Sequence, residues 1–207
     1  MSVTGASWQR LWTELGAQTI NGGLFNQLVQ AYGERHRHYH TLHHLRECLL
    51  HFDAASSLAR RPAEVELGLW FHDAVYDPQR ADNEERSADW ARSSVVAAGC
   101  DPVIAGRVHA LVMVTKQHAA PAEDADAALL VDIDLAILGA APARFDEYEQ
   151  QVRAEYAHVA EAAFRAGRGE VLRGFLQRPA IFTTDVFREA LEQRARENLT
   201  RSLAAMA

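Results

Sequence analysis

Apolar residues recur at helical spacing along the chain, and no stretch alternates apolar and polar residues as a half-buried strand would. Composition favours helix too, because alanine contributes 37 of the 207 residues whereas valine, isoleucine and threonine together contribute 28. No linker, repeat or low-complexity tract divides the sequence. We therefore expect one all-α domain over residues 1–207, with a core over about 24–140 and C-terminal helices over about 142–203.

Local signals predict where several helices begin and end. Pro62 is well placed to open a helix, and this helix should end near Asp73 because a Tyr-Asp-Pro turn follows. Asp101 followed by Pro102 is typical of an N-cap and a first helical position. A further helix is predicted over residues 125–138, with a glycine directly after it.

The charge balance and the two cysteines exclude some classes of protein. Lysine and arginine number 21 against 28 aspartates and glutamates, and the net charge of −7 argues against general nucleic-acid binding. No apolar run approaches the roughly 18 residues of a membrane span, so no membrane association is expected. Cys48 and Cys100 cannot form a disulfide framework, and the N-terminus lacks the apolar core of a signal peptide, so we expect a cytoplasmic location. Cys48 is interpreted as a buried free thiol.

A dense histidine cluster indicates chemistry. Six of the ten histidines lie between His36 and His51. Imidazole and carboxylate groups hold zinc, iron, manganese and similar divalent ions. His40 and His44 are four residues apart, so in a helix from His40 to about Phe52 they would share one face. One could then hold a metal while the other reaches past it toward a substrate.

Carboxylates further along the chain complete the candidate set. His72 and Asp73 are neighbours near a predicted helix end, where adjacent side chains can converge on one ion. Asp134 begins an apolar stretch, so its carboxylate should lie close to the core and need a partner such as a metal. Asp132 and Asp134 lie about 200° apart around a helix, so both cannot face the same ion directly.

The order of these residues resembles the HD-domain superfamily of metal-dependent phosphohydrolases. YHTLHH comes first, FHD follows about 30 residues later, and DIDL about 60 residues after that. From about Trp8 to Leu203 the chain is similar to a bacterial group of predicted metal-dependent HD phosphohydrolases. The segments that carry the similarity are RHRHYHTLHHL, WFHDAVYD with DNEERSA, VTKQH, DIDLAILG, YEQQVRAEY and EQRARENL. The resemblance implies a helical bundle of the HD type with a C-terminal helical extension.

The resemblance also implies a set of ligands and a catalytic acid. The implied cofactor is one or two divalent ions, and Mn, Fe, Zn, Mg, Ni and Co are all candidates. The residues that would bind it are His44, His72, Asp73 and Asp134. Asp73 would bridge two ions where both bind, and is therefore also a candidate catalytic residue. In the cyclic-nucleotide phosphodiesterase branch, the first histidine of a similar YHNxxH segment works on the leaving group, which makes His40 the candidate acid. Thr41 replaces the asparagine usual there, so the substrate class does not carry over.

Five further residues are candidates for supporting roles. His118, Lys116 and Arg37 are candidates for binding the substrate or a second ion, since some HD relatives place extra histidines between the HD pair and the last aspartate. Glu84 and Asp132 are candidates for orienting a metal ligand or a metal-bound water by hydrogen bonding, without binding the metal themselves. Each has an ordinary alternative as a charged or polar group on a helix face or loop.

Together these features predict a hydrolase acting on a small phosphorylated substrate, a phosphomonoester or phosphodiester, with nucleotides among the candidates. A bound ion lowers the pKa of its water from about 15.7 toward roughly 7 and so supplies hydroxide at neutral pH. Two other classes stay open: a catalytically silent HD-type binding or regulatory domain, and a di-iron HD-fold oxygenase. The oxygenase typically needs two extra histidines before the last aspartate, and here that interval holds His109 and His118, nine residues apart.

Overall fold

A computed structural model describes residues 3–206, and over this range the chain forms helices and no strands. The all-α prediction is confirmed. The α-helices of these residues are α1 (Gly5–Glu14), α2 (Gly22–Ala31), α3 (Leu42–Ala55), α4 (Pro62–Phe71), α5 (Asn83–Ala97), α6 (Pro102–Met113), α7 (Ala125–Asp134), α8 (Pro142–Glu155), α9 (Glu161–Leu176) and α10 (Asp185–Met206). None of the helices in this range combines the length and the apolar character needed to cross a bilayer.

The chain divides into two compact units, one ending at Val131 and the other beginning at Asp132. The first unit therefore contains α1 to α6 and most of α7, and the second contains the end of α7 with α8 to α10. The helix predicted over residues 125–138 is α-helical only as far as Asp134, and a 3₁₀ turn continues it from Leu135 to Gly139.

Helix α4 forms the centre of the first unit, where it packs against α1, α3, α5 and α6. Every residue from Glu64 to Phe71 is buried, as expected for a helix enclosed on all sides. Pro62 occupies the start of the helix as predicted, and His72 is its C-cap. The His72–Asp73 pair therefore lies at a helix end, also as predicted.

Two buried glutamates on α4 are neutralised by arginines from neighbouring helices. Glu66 accepts two hydrogen bonds from Arg10 of α1, at 2.7 and 2.9 Å, and Glu64 binds Arg107 of α6. Burial raises the pKa of the Glu66 carboxyl, and Arg10 only partly offsets that effect. Since a buried charge is tolerated only when it is paired, these ion pairs make the burial of α4 possible.

Helix α3 begins two residues later than the spacing of its histidines predicts. Thr41 is its N-cap, and the threonine hydroxyl accepts a hydrogen bond from the backbone N–H of His43 at 3.2 Å. His40 therefore precedes the helix, and the prediction that His40 and His44 share a helix face is wrong. The reason is local: a threonine hydroxyl satisfies the free N–H groups of a first helical turn, so threonine favours the N-cap position.

In the second unit, the 3₁₀ turn that ends at Gly139 packs closely on α10. Asn198 of α10 donates hydrogen bonds of 2.9 Å to the carbonyl oxygens of both Leu138 and Ala140. Arg194 binds the carbonyl of Gly139 itself. A Cβ atom on Gly139 would lie 2.6 Å from Leu191 Cβ and 2.9 Å from the Leu191 backbone oxygen. Only glycine allows this approach.

We predict that Gly139→Ala lowers the free energy of unfolding by about 1–3 kcal/mol, because the added methyl group forces α10 away from the turn. The matched control is Gly174→Ala in α9, where a Cβ would meet no atom within 4 Å. That variant should be neutral or more stable by about 0.5–1 kcal/mol, since alanine favours helix over glycine. Urea denaturation measures both, and equal effects would contradict the close packing at Gly139.

Candidate metal centre

Two buried histidines meet in the first unit, brought together by the packing of α3 on α4. His44 lies in the first turn of α3, and His72 caps the C-terminus of α4. Both residues are almost completely buried. Their Nε2 atoms are 3.1 Å apart. The sequence predicted both as ligands of one ion, and the fold brings their ring nitrogens together.

The hydrogen bond on the other side of the His72 ring fixes which nitrogen carries its proton. Nδ1 of His72 lies 2.8 Å from the carbonyl oxygen of Leu69, one turn earlier in α4. A carbonyl oxygen can only accept, so Nδ1 carries the hydrogen and the neutral ring keeps its lone pair on Nε2. Histidine ligands of metals are held in this way, with the second ring nitrogen donating to a backbone carbonyl or a carboxylate.

Asp73 supplies a carboxylate beside the same two nitrogens. Its Oδ2 atom is 3.1 Å from Nε2 of His72 and 3.5 Å from Nε2 of His44. Burial by itself would raise the pKa of Asp73, but the positive charge that His72, His40 and His44 carry when protonated outweighs that effect and lowers it. The group is therefore a carboxylate at neutral pH. The side chain is 19% exposed, so the cluster is reachable from solvent at this residue.

Cys48 also belongs to this cluster, which the interpretation as an ordinary buried thiol did not anticipate. It lies one turn after His44 in α3, and its Sγ atom is 3.7 Å from both ring nitrogens of that histidine. His44, Cys48 and His72 each offer a ligand atom within 4.8 Å of the others. The group could hold a metal ion. The signal in the sequence was the i, i+4 spacing, which places both side chains on one helix face.

The distances fit a common centre. Two nitrogen ligands each about 2.05 Å from one ion lie about 3.3 Å apart in a tetrahedron and about 2.9 Å apart at right angles. The observed separation of the two Nε2 atoms, 3.1 Å, falls between these values. The separations from Asp73 Oδ2 to the two nitrogens, 3.1 and 3.5 Å, lie in or near the same range. These separations are compatible with three ligands of one ion.

His40 lies beside the cluster although it is outside α3. Its ring stacks on the ring of Tyr76 with the centroids 4.1 Å apart, and its centroid is 6.0 Å from that of His44. Its contribution to the lowered pKa of Asp73 also indicates proximity to that carboxylate. Residue 40 is thus near the candidate ligands through the turn before α3, with no shared helix face.

Arg37 was expected to contact an anion, but its side chain binds backbone carbonyl oxygens inside the protein. Its side chain is fully buried, and its guanidinium donates to the carbonyl oxygens of His40, Asp73 and Ala74 at 3.2, 2.6 and 3.1 Å. It also donates to the Glu34 carboxylate at 3.0 Å. With these donors occupied, Arg37 connects the His40 turn to the His72–Asp73 turn and does not present a free cation to a substrate.

The other supporting candidates of the first unit are distributed over α5 and the loop after α6. Lys116 donates to the carboxylate of Glu85, and this hydrogen bond is the main reason that the pKa of Lys116 is raised. Glu84, in the first turn of α5, adds a second negative charge near Lys116. His118 adopts a left-handed backbone conformation with φ of 46°. The proposed roles of these residues in binding a substrate, a second ion or a ligand stay predictions.

The two aspartates of DIDL differ in their contacts within the second unit. Both Asp132 oxygens are engaged: the carboxylate accepts from the backbone N–H groups of Thr183 and Thr184, at 2.8 and 2.7 Å, and from the Thr184 hydroxyl. Asp132 therefore holds the loop before α10. Asp134 is half-buried, and its charge contributes to raising the pKa of Tyr148, an effect due first to burial of the phenol. Its role as a ligand stays a prediction.

Comparisons with known proteins add no assignment. No protein-family model matches the chain, and no similar protein was found among curated proteins or solved structures. The functional argument therefore depends on the residues of the site and on the resemblance of their motifs.

We predict that Arg37→Met lowers the free energy of unfolding by roughly 3 kcal/mol, because buried carbonyl oxygens lose their donor. Arg35→Met is the matched control, since Arg35 is exposed two residues away in the same turn. Its unfolding free energy should change by less than about 0.5 kcal/mol. Chemical denaturation measures the difference, and similar values for the two variants would contradict a structural role for Arg37.

Proposed function

We propose that this protein is a metal-dependent phosphohydrolase that cleaves a phosphomonoester or phosphodiester, with nucleotides among its candidate substrates. His44, His72 and Asp73 would hold the divalent ion. The resemblance to HD-domain phosphohydrolases adds Asp134 as a further ligand, and it is the source of the reaction type. The proposal covers the binding of either one ion or two.

One observation carries the proposal more than any other. The hydrogen bond from His72 Nδ1 to the Leu69 carbonyl leaves a lone pair on Nε2, and this atom lies 3.1 Å from both His44 Nε2 and Asp73 Oδ2. Two imidazole nitrogens and a carboxylate oxygen that converge in one buried place are the donor types that hold zinc, iron and similar divalent ions. A divalent cation is the partner that suits all three.

The chemistry of the bound ion would be to lower the pKa of a coordinated water and to neutralise charge on the phosphoryl group. The protein residues supply the rest. Asp73 is the partly exposed member of the cluster, so a substrate would reach the ion beside this residue. His40 stacks on Tyr76 and lies close to Asp73, and we propose that it donates a proton to the departing oxygen. The convergence of His44, His72 and Asp73 favours this function over a silent regulatory domain, in which ligands would be expected to have been lost.

We predict that His44→Ala weakens binding of a divalent metal by at least tenfold, on the order expected when a metal site loses an orienting or ligating group. His43→Ala is the matched control, since His43 is the adjacent residue and its side chain is 63% exposed. It should bind metal as the wild type does. Metal content after purification and titration of the chelator-treated protein measure both, with circular dichroism to verify that helix content is kept. Equal metal binding by the two variants would remove the proposal.

His40→Gln should separate catalysis from metal binding. We expect this variant to keep its metal content and to lose about 10²- to 10⁴-fold in kcat, the contribution typical of a positioned proton donor. The assay is hydrolysis of a panel of nucleotides, p-nitrophenyl phosphate and bis(p-nitrophenyl) phosphate by the metal-loaded protein. His43→Ala again serves as the control. A metal-loaded wild type that hydrolyses none of these esters would count against a phosphohydrolase and leave the regulatory and oxygenase classes.

A further inference from the structure

The candidate metal centre contains a donor that the proposed set of ligands does not use. Cys48 lies on the same face of α3 as His44, and only 1% of the residue is exposed. Its Sγ atom is 3.7 Å from Nδ1 and from Nε2 of His44 and within 4.8 Å of the ligand atom of His72. The thiol therefore lies close to both of the imidazole groups proposed to hold the ion.

Cys100 provides a comparison, because it is a buried thiol that lies outside the candidate metal centre. Cys100 follows α5, is also buried, and has a pKa raised by that burial. Among residues 3–206 it belongs to no group of potential metal ligands. The two cysteines therefore differ in their surroundings although they are similar in burial.

The sulfur lies close enough to coordinate the ion once its side chain and the His44 ring rotate. Zinc–sulfur bonds are about 2.3 Å and zinc–nitrogen bonds about 2.05 Å, so a tetrahedral ion would place the two ligand atoms about 3.6 Å apart. The observed distance from Sγ to His44 Nε2, 3.7 Å, is close to this value, but Sγ lies equally far from Nδ1, so the His44 ring must turn before Sγ and Nε2 face one ion. The distance to the His72 ligand atom, up to 4.8 Å, can shorten by rotation about the one side-chain torsion of the cysteine.

We propose that Cys48 binds as a thiolate to the ion held by His44 and His72, and that it makes the centre selective for zinc-like ions. This inference rests on the metal site of the proposed function. Binding releases the thiol proton to solvent and forms the sulfur–metal bond. Thiolate ligands favour zinc, cobalt, iron and cadmium, whereas magnesium and manganese prefer oxygen. The site is therefore a mixed imidazole, carboxylate and thiolate centre.

Cobalt titration of the chelator-treated full-length protein, without oxygen, tests the proposal. A cobalt–thiolate bond gives an intense charge-transfer absorption in the near ultraviolet, which nitrogen and oxygen ligands do not. We expect this absorption in the wild type and in the control Cys100→Ala. In Cys48→Ala we expect it to be lost, while the weaker visible absorption of bound cobalt remains.

Selectivity gives a second measurement. The ratio of the cadmium affinity to the manganese affinity should fall by at least tenfold in Cys48→Ala and stay unchanged in Cys100→Ala. Wild-type protein that binds cobalt without the thiolate absorption, or Cys48→Ala that retains it, would overturn the role of Cys48 and leave the proposed function standing. Wild-type protein that binds no divalent ion at all would overturn both.

Discussion

The arrangement of the candidate site depends on one buried cation, the guanidinium of Arg37. It lies just beyond the C-terminus of α4, where the carbonyl oxygens of Asp73 and Ala74 have no partner within the helix. A positive charge there also suits the negative end of the helix dipole. Because the same group donates to the His40 carbonyl, it connects the turn before α3 with the turn after α4. The rings of Tyr32 and Tyr76 lie beside it at 5.3 and 5.5 Å.

The central helix of the first unit, α4, buries several polar side chains. Helix α4 is enclosed on all sides, yet it contains Glu64 and Glu66 and ends at His72. Each glutamate has an arginine partner, and His72 uses one nitrogen on the Leu69 carbonyl. What distinguishes His72 is that its second nitrogen faces other donor atoms. The ion pairs join α4 to α1 and α6, whereas the imidazole pair suits an added cation.

Local signals in the sequence predicted much of the helical framework and part of the site. Pro62 and Asp101 mark helix starts because their effects on the first turn depend only on neighbouring residues. The same local chemistry explains the error at His40, since Thr41 as an N-cap outweighs the helical spacing of the histidines. The proximity of His44 to the His72–Asp73 pair was expected from motif resemblance, because no periodicity relates residues so far apart in sequence.

The sequence by itself determined that this chain is helical, where helices α4, α6 and α7 begin, and which histidines and carboxylates are candidates for metal chemistry. These properties follow from spacing, capping and residue type, which act over a few residues. Only the tertiary structure decided that Arg37 is turned inward and that Cys48 lies beside the ring nitrogens of His44 and His72. It also decided that Asp132 holds the loop before α10. The partners of these groups come from distant parts of the chain, and the packing of helices selects them.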